Sequence, residues 1–276
     1  LMANMRQQAE NLGTVFVDET AVKVDLSQKP FTVTLDSDDI YTCDALIIAT
    51  GASARWLDLP NEQNLRGFGV SACATCDGFF YRNKKVAVIG GGNVAVDCAR
   101  TAVRFGSEEV GMYCLESRDT MPASKKEIEE TLADGITVNN GWGPKEILKN
   151  EDGTVKAVVF KKCLSVIDPA TKRFSPKYDE NDTITVEASN VIFAIGQTIM
   201  WDDLLKGSKV QFHHGNYPVA DSLTYQTAEP DIFVGGDVYS GPKFAIDAIE
   251  AGKNAAVSLH RFVQPGTSMT IGRNRR

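Results

Sequence analysis

The sequence predicts an α/β fold in which one Rossmann-like domain is inserted into another, and three observations carry that expectation. An apolar strand at 86–89 runs into Gly90-Gly91-Gly92 and then a helical pattern, the strand-turn-helix opening of a mononucleotide-binding half. Apolar strands ending on glycine recur on both sides of it, at 44–51 and 231–236. A polar crossing with Pro60 at 57–68 comes before it, so the first and last thirds of the chain belong together around the middle. The expected division is 1–56 and 189–276 for the outer domain and 57–188 for the inserted one.

The elements follow in order. Residues 1–13 read as a helix, with Leu1, Met2, Met5, Ala9 and Leu12 near helical spacing and Gly13 as the stop. β-Branched and aromatic alternation gives short strands at 14–17, 22–25 and 31–35 before the buried strand 44–51. After the glycine loop come a helix at 93–105, a second parallel strand at 110–115 and a helix at 125–134. Strands at 155–165 and 183–187 are separated by a polar excursion at 168–182. An apolar strand at 191–196 resembles 46–51 and is expected to open the returning outer segment, which closes with a long helix at 244–262.

Composition excludes several classes. At 276 residues and 43% hydrophobic the chain can bury a real core, and a net charge of -7 argues against a nucleic-acid or anionic-membrane partner. No apolar run approaches bilayer length and no basic-then-apolar leader opens the sequence. Six cysteines with one close pair do not make a secreted staple framework, so a reducing cytoplasm is expected. The chain opens on Leu1 and closes on 270–276 without a recognisable terminal element, and is expected to be cut from a longer frame.

The close pair is Cys73-Ala74-Thr75-Cys76-Asp77-Gly78. Its spacing suits a redox disulfide, half a zinc site, or two buried thiols. Zinc needs two further ligands, and adjacent His213 and His214 are poorly spaced to supply them, so no metal is expected. Asp77 either passes a proton to a departing thiolate or caps the turn at Gly78. The pattern Gly90-x-Gly92-x-x-Ala95, with Asn93 opening the helix, lets backbone amides and a helix end meet a pyrophosphate. Glu116, at the end of the next strand, suits the ribose hydroxyls of NADH and repels a 2′-phosphate, whereas Arg118 attracts one, so NADH and NADPH both stay open. Electrons pass from a nicotinamide to a disulfide by way of a flavin, so FAD is sought as well. Asp237 after Gly236 could hold a sugar-like chain, and the helix opened by Lys243-Phe244-Ala245 could stabilise a reduced flavin; an ordinary strand-loop-helix fits the same residues. Cys43, Cys98, Cys114 and Cys163 read as core, and His260 as structural.

Together these motifs carry a resemblance. The stretch Asp44-Ala45-Leu46-Ile47-Ile48-Ala49-Thr50-Gly51-Ala52-Ser53-Ala54-Arg55, and above all Gly69-Val70-Ser71-Ala72-Cys73-Ala74-Thr75-Cys76-Asp77-Gly78-Phe79-Phe80, is similar to bacterial thioredoxin reductases from residue 1 to about 99. The resemblance implies FAD on the outer domain, touching Thr50, Gly51, Gly236 and Asp237, and a nicotinamide dinucleotide on the inserted one. It also implies Cys76 facing the flavin, Cys73 attacking a thioredoxin-like disulfide protein, and Asp77 as acid. From about residue 100, Leu115-Glu116-Ser117-Arg118-Asp119-Thr120-Met121-Pro122-Ala123-Ser124, Phe193-Ala194-Ile195-Gly196-Gln197 and Gly235-Gly236-Asp237-Val238 look more like the glutamate synthase small subunit, which implies an iron-sulfur electron-transfer partner. The paired arginines with which thioredoxin reductases grip a 2′-phosphate are replaced by Glu116 and Ser117. Both families place a strand and glycine loop for FAD upstream of the helix that starts this chain. The outer domain is therefore expected to be incomplete, binding FAD more weakly than an intact relative. The first reading is a flavin-dependent NAD(P)H:disulfide oxidoreductase, truncated or hybrid, with room for a homodimer. An NAD(P)H-to-FAD electron-input module and a catalytically silent nucleotide-binding domain are the alternatives.

Overall fold

The computed structural model describes residues 1–213 and 216–266; His214 and the tail 270–276 lie outside them. The chain divides into two compact units, Leu1–Ser53 with Thr198–Arg276, and Ala54–Gln197. In chain order the first segment holds α1 (Met2–Glu10), β1 (Ala21–Asp25), β2 (Phe31–Leu35), β3 (Ile40–Cys43), β4 (Leu46–Ile48) and β5 (Ser53–Ala54). The middle holds α2 (Glu62–Leu65), β6 (Val70–Ser71), a tight helical turn (Gly78–Tyr81), β7 (Lys85–Ile89), α3 (Asn93–Arg104), β8 (Glu109–Cys114) and α4 (Lys125–Ala133). It continues through β9 (Thr137–Asn140), β10 (Trp142–Lys149), β11 (Val155–Ile167), β12 (Phe174–Glu187), β13 (Asn190–Phe193) and β14 (Gln197–Thr198). The last segment holds β15 (Ile232–Val234), α5 (Asp237–Ser240) and α6 (Ala245–Val263).

In the outer unit β1, β2 and β3 form an antiparallel sheet, and β4 pairs in parallel with β15, Leu46 opposite Ile232 and Ile48 opposite Val234. Phe31, Ile48, Ile232, Val234 and Val238 are buried together with Ile199 and Leu205. Helix α1 buries none of its residues. Residues 14–17, expected as a strand, are irregular and exposed, with Val15 82% accessible. Alternation alone does not make a strand where no neighbour accepts its backbone hydrogen bonds.

The inserted unit is built on a five-stranded sheet in the order β6-β13-β7-β8-β9. All its pairings are parallel, and both faces are covered, which is why its strands read as continuous apolar runs. The two-residue period sends Val86 and Val88 of β7 towards α3 and α4, and Ala87 and Ile89 towards the second sheet, β10-β11-β12. On that second face Tyr113 stacks on Phe160 with ring centroids 4.3 Å apart. Helix α3 lays Ala95, Val96, Ala99 and Ala102 against the sheet, small residues at helical spacing that allow close approach. Helix α4 is capped by Ser124, which accepts the Glu127 N–H at 3.3 Å while its hydroxyl meets the Glu127 carboxylate at 3.0 Å.

Three sequence expectations change here. Strand 190–193 lies between β6 and β7 in the inserted sheet, so 189–197 belong to that unit and not to the returning outer segment. Both sheets use apolar strands ending on glycine, and only long-range pairing tells them apart. The polar excursion at 168–182 is mostly strand: β11 and β12 form one long hairpin that turns at Asp168, whose carboxylate accepts the N–H groups of Ala170 and Thr171 at 2.9 and 2.8 Å. Strands β9 and β10 were not expected, because 139–144 carry Asn, Gly and Pro; Pro144 is tolerated since β10 is an edge strand. Among the described residues no helix is long and apolar enough to cross a membrane.

Candidate active site

Cys73 and Cys76 form a disulfide in the segment between β6 and β7, their Cα atoms 5.3 Å apart. The segment is a tight turn: the Asp77 N–H donates to the Cys73 carbonyl at 3.2 Å, and the Cys76 N–H donates to Cys73 Sγ at 3.2 Å. Ser71, at the end of β6, accepts the Cys73 N–H at 2.9 Å, and its hydroxyl donates to the Cys73 carbonyl at 3.3 Å. Cys73 is half-buried and Cys76 exposed. Asp77 stands at the N-cap of the turn that follows, where its carbonyl accepts the Phe80 N–H at 2.9 Å and its side chain makes no capping bond. A Cβ at Gly78 would overlap the half-buried Phe105 ring, which would have to shift to admit it. Behind the disulfide, the fully buried Tyr81 phenol reaches the Cys73 carbonyl at 3.5 Å, and burial pushes its pKa up to about 12. Burial likewise raises the Cys98 thiol, on the α3 face beneath the same loop.

The glycine loop lies in the same unit. Gly90 has φ 145°, and a Cβ there would overlap the Ala194 carbonyl oxygen, so β13 and the loop approach through the missing side chain. Gly91 fits beneath Glu116, whose Oε2 lies 2.8 Å from where a Gly91 Cβ would sit. At Gly92, the N-cap of α3, a Cβ would meet nothing within 4 Å, and no side chain caps that helix end. The structure thus leaves open one face of a loop that is tightly packed on the others. Two further bonds tie 117–124 onto it: Ala123 N–H to the Gly91 carbonyl at 3.0 Å and Ser124 N–H to Asn93 Oδ1 at 2.9 Å. The Glu116 carbonyl is held by Asn140 Nδ2 at 3.0 Å and by the Gly141 N–H at 3.2 Å, which aims its carboxylate at the loop. Arg118 is exposed and makes no ion pair among the described residues. Cys114, under the loop, is pushed up to about 11 by burial and by Glu116, and is an inert thiol at neutral pH. Gly196, with φ 93°, follows β13 and accepts the Arg55 N–H at 3.1 Å. Ser71, Tyr81, Asn140 and Ser124 were not singled out from sequence; the spacing of Ser71 two residues before Cys73, which suits a side-chain-to-backbone turn, was the one local signal.

In the outer unit the pairing of β4 with β15 brings Thr50 and Gly51 to the same sheet end as Gly236 and Asp237. Gly51 has φ 75° and open space around its Cβ position, and Gly236 has φ 68°. Asp237 Oδ1 accepts the Lys243 N–H at 3.3 Å, which closes the loop before α6. Phe244 is 81% exposed, Ala245 is exposed, and the Phe244 N–H donates to the Asp247 carboxylate at 3.1 Å.

The family model described as pyridine nucleotide-disulphide oxidoreductase matches residues 4–252. The chain belongs to that family. Thioredoxin reductase of Rickettsia bellii is 36% identical over 266 residues, covering 95% of this chain and 79% of the relative. Glucosaminate ammonia-lyase of Pseudomonas fluorescens is 38% identical over 267 residues, covering 95% and 78%. Among solved structures, Lactococcus lactis thioredoxin reductase superposes with a TM-score of 0.75 at 26% identity, covering 94% of this chain and 79% of that one. The likeness to thioredoxin reductases therefore runs through nearly the whole chain and does not stop near residue 99; the second likeness expected beyond residue 100 finds no support in these relatives. This pyridine nucleotide-disulphide oxidoreductase is a thioredoxin-reductase-like enzyme, and with that membership the expected cofactors, FAD with NADH or NADPH, stand.

Proposed function

We propose that the chain moves electrons from NAD(P)H by way of FAD to the Cys73–Cys76 disulfide, and from the dithiol to a thioredoxin-like protein. The observation that carries this reading is one unit holding both a disulfide and a glycine loop that is open only at Gly92. Gly90, Gly92, Asn93 and Ala95 would hold the pyrophosphate, Glu116 and Arg118 the ribose end, with Gly196 at the neighbouring strand end. Thr50, Gly51, Gly236, Asp237, Lys243, Phe244 and Ala245 would line the FAD site. The left-handed glycines and open space at Gly51 fit a close-lying cofactor, while Asp247 in the first turn of α6 opposes further negative charge there. When bound, the nicotinamide supplies two electrons as a hydride and the flavin relays them.

The remaining chemistry belongs to the chain. The Cys76 N–H, already donating to Cys73 Sγ, favours Cys73 as thiolate once the pair is reduced. Cys73 attacks one sulfur of the substrate disulfide, a new S–S bond forming as the old one breaks, and Asp77 gives a proton to the departing thiolate. Cys76 then attacks Cys73 Sγ in the mixed disulfide, which releases the second substrate thiol and restores the pair. With FAD, NADPH or NADH, and oxidised thioredoxin, two thiols should form per nicotinamide oxidised. Turnover of a one-electron acceptor with no thiol formed would replace this reading with the electron-input one.

Glu116 tests the ribose assignment separately. Glu116→Ala should weaken NADH binding by roughly tenfold and NADPH binding less, because the carboxylate serves a free hydroxyl and repels a phosphate. Equal losses, read by nicotinamide fluorescence titration, would remove Glu116 from that end.

A further inference from the structure

Four hydrogen bonds converge on the backbone of Cys73, and among the described residues none is made to that of Cys76 beyond its own N–H donation to Cys73 Sγ. Ser71 Oγ takes the Cys73 N–H and gives its own hydroxyl proton to the Cys73 carbonyl; the Asp77 N–H and the Tyr81 hydroxyl donate to the same carbonyl. Ser71 is 7% exposed and Tyr81 fully buried. Tyr81 packs in the core that also holds α3, so the clamp is anchored in the body of the unit and not in the loop. The three donors share the two lone pairs of one carbonyl oxygen, and the Tyr81 hydroxyl also meets the Ser71 side chain, so the two side chains act on Cys73 together. A polar phenol in an apolar core costs free energy unless its hydroxyl is used. No step of the electron transfer proposed above employs it.

We propose that Ser71 and Tyr81 are positioning residues of the redox centre: by gripping both peptide groups of Cys73 they make it the stationary sulfur, held beneath the Cys76 N–H, and leave Cys76 as the sulfur that moves when the disulfide opens. This rests on the disulfide-reductase reading for its purpose, though not for its test. A fixed Sγ keeps the N–H pointed at the developing thiolate on Cys73, while Cys76, exposed and ungripped, is free to swing away and return. The asymmetry gives the two cysteines different chemical characters through backbone geometry, beside whatever the neighbouring Asp77 carboxyl contributes.

Single-cysteine chains separate the two sulfurs. In the Cys76→Ser chain, the rate of iodoacetamide alkylation of Cys73 against pH reports the thiolate held by the residue-76 N–H. Adding Tyr81→Phe, which keeps the ring and removes only the hydroxyl, should move that profile to higher pH. Alkylation near neutrality should slow by about three- to tenfold, since one pK unit is a tenfold change in thiolate population. Ser71→Ala, an independent route to the same loosening, should do likewise. In the Cys73→Ser chain neither change should move the profile of Cys76. The proposal is overturned if Tyr81→Phe and Ser71→Ala leave the Cys73 profile in place, or shift both cysteines alike as general loosening would. The measurement needs no nicotinamide, flavin or thioredoxin. A chain that shows the asymmetry yet reduces no thioredoxin would retain the positioning role and lose the functional reading.

Discussion

Cys73→Ser and Cys76→Ser are each expected to abolish NAD(P)H-driven reduction of a thioredoxin disulfide, by about three orders of magnitude or more, the scale on which loss of one member of a catalytic unit acts. Neither thiol can complete the exchange alone. Cys73 without Cys76 forms a mixed disulfide that nothing resolves, and Cys76 without Cys73 lacks the sulfur with which it pairs. Nicotinamide oxidation with an artificial one-electron acceptor should persist in both variants, because Gly90 to Ala95 and Glu116 are untouched. The Cys76→Ser chain should also trap thioredoxin covalently, and the Cys73→Ser chain should not. Equal trapping by both variants would reverse or erase the assignment of Cys73 as the attacking sulfur. Unimpaired thiol formation in either would remove the pair from the reaction.

The second large effect separates two glycines two residues apart. Gly90→Ala should destabilise the inserted unit by about 2–5 kcal/mol, combining a left-handed backbone with overlap on the Ala194 carbonyl at the centre of the parallel sheet. Gly92→Ala should change stability by about 1 kcal/mol or less, because its φ of -94° suits any residue and a Cβ there meets nothing. The same Gly92→Ala should nonetheless weaken both NADH and NADPH at least roughly tenfold, since the added carbon stands where amides of α3 would approach the pyrophosphate. Urea unfolding and nicotinamide titration on the two variants give a crossed result. A Gly92→Ala chain that binds normally would leave the open face of the loop without its proposed ligand.

The geometry of the candidate site was legible wherever it is local in sequence. A pair two residues apart can close on itself, so a redox disulfide was one of the readings open for Cys73 and Cys76, and it is the one the structure forms. The glycine loop announced itself because strand, turn and helix are contiguous, and Glu116 because the next parallel strand must end beside it. Boundaries set by partners far along the chain were not legible. Residues 190–193 read the same as 46–48, and only hydrogen bonding to β7 and β6 assigns them to the inserted sheet. Residues 14–17 had the pattern of a strand and no partner, while the Pro-bearing β10 had a partner and no pattern. Tyr81 was not singled out from sequence, and what its hydroxyl meets depends on how the turn after Cys76 folds back over the end of β6. Apolar period and glycine punctuation act over a few residues and are written in the chain, whereas strand order, burial and the aim of a buried polar atom depend on surfaces that exist only once distant segments have met.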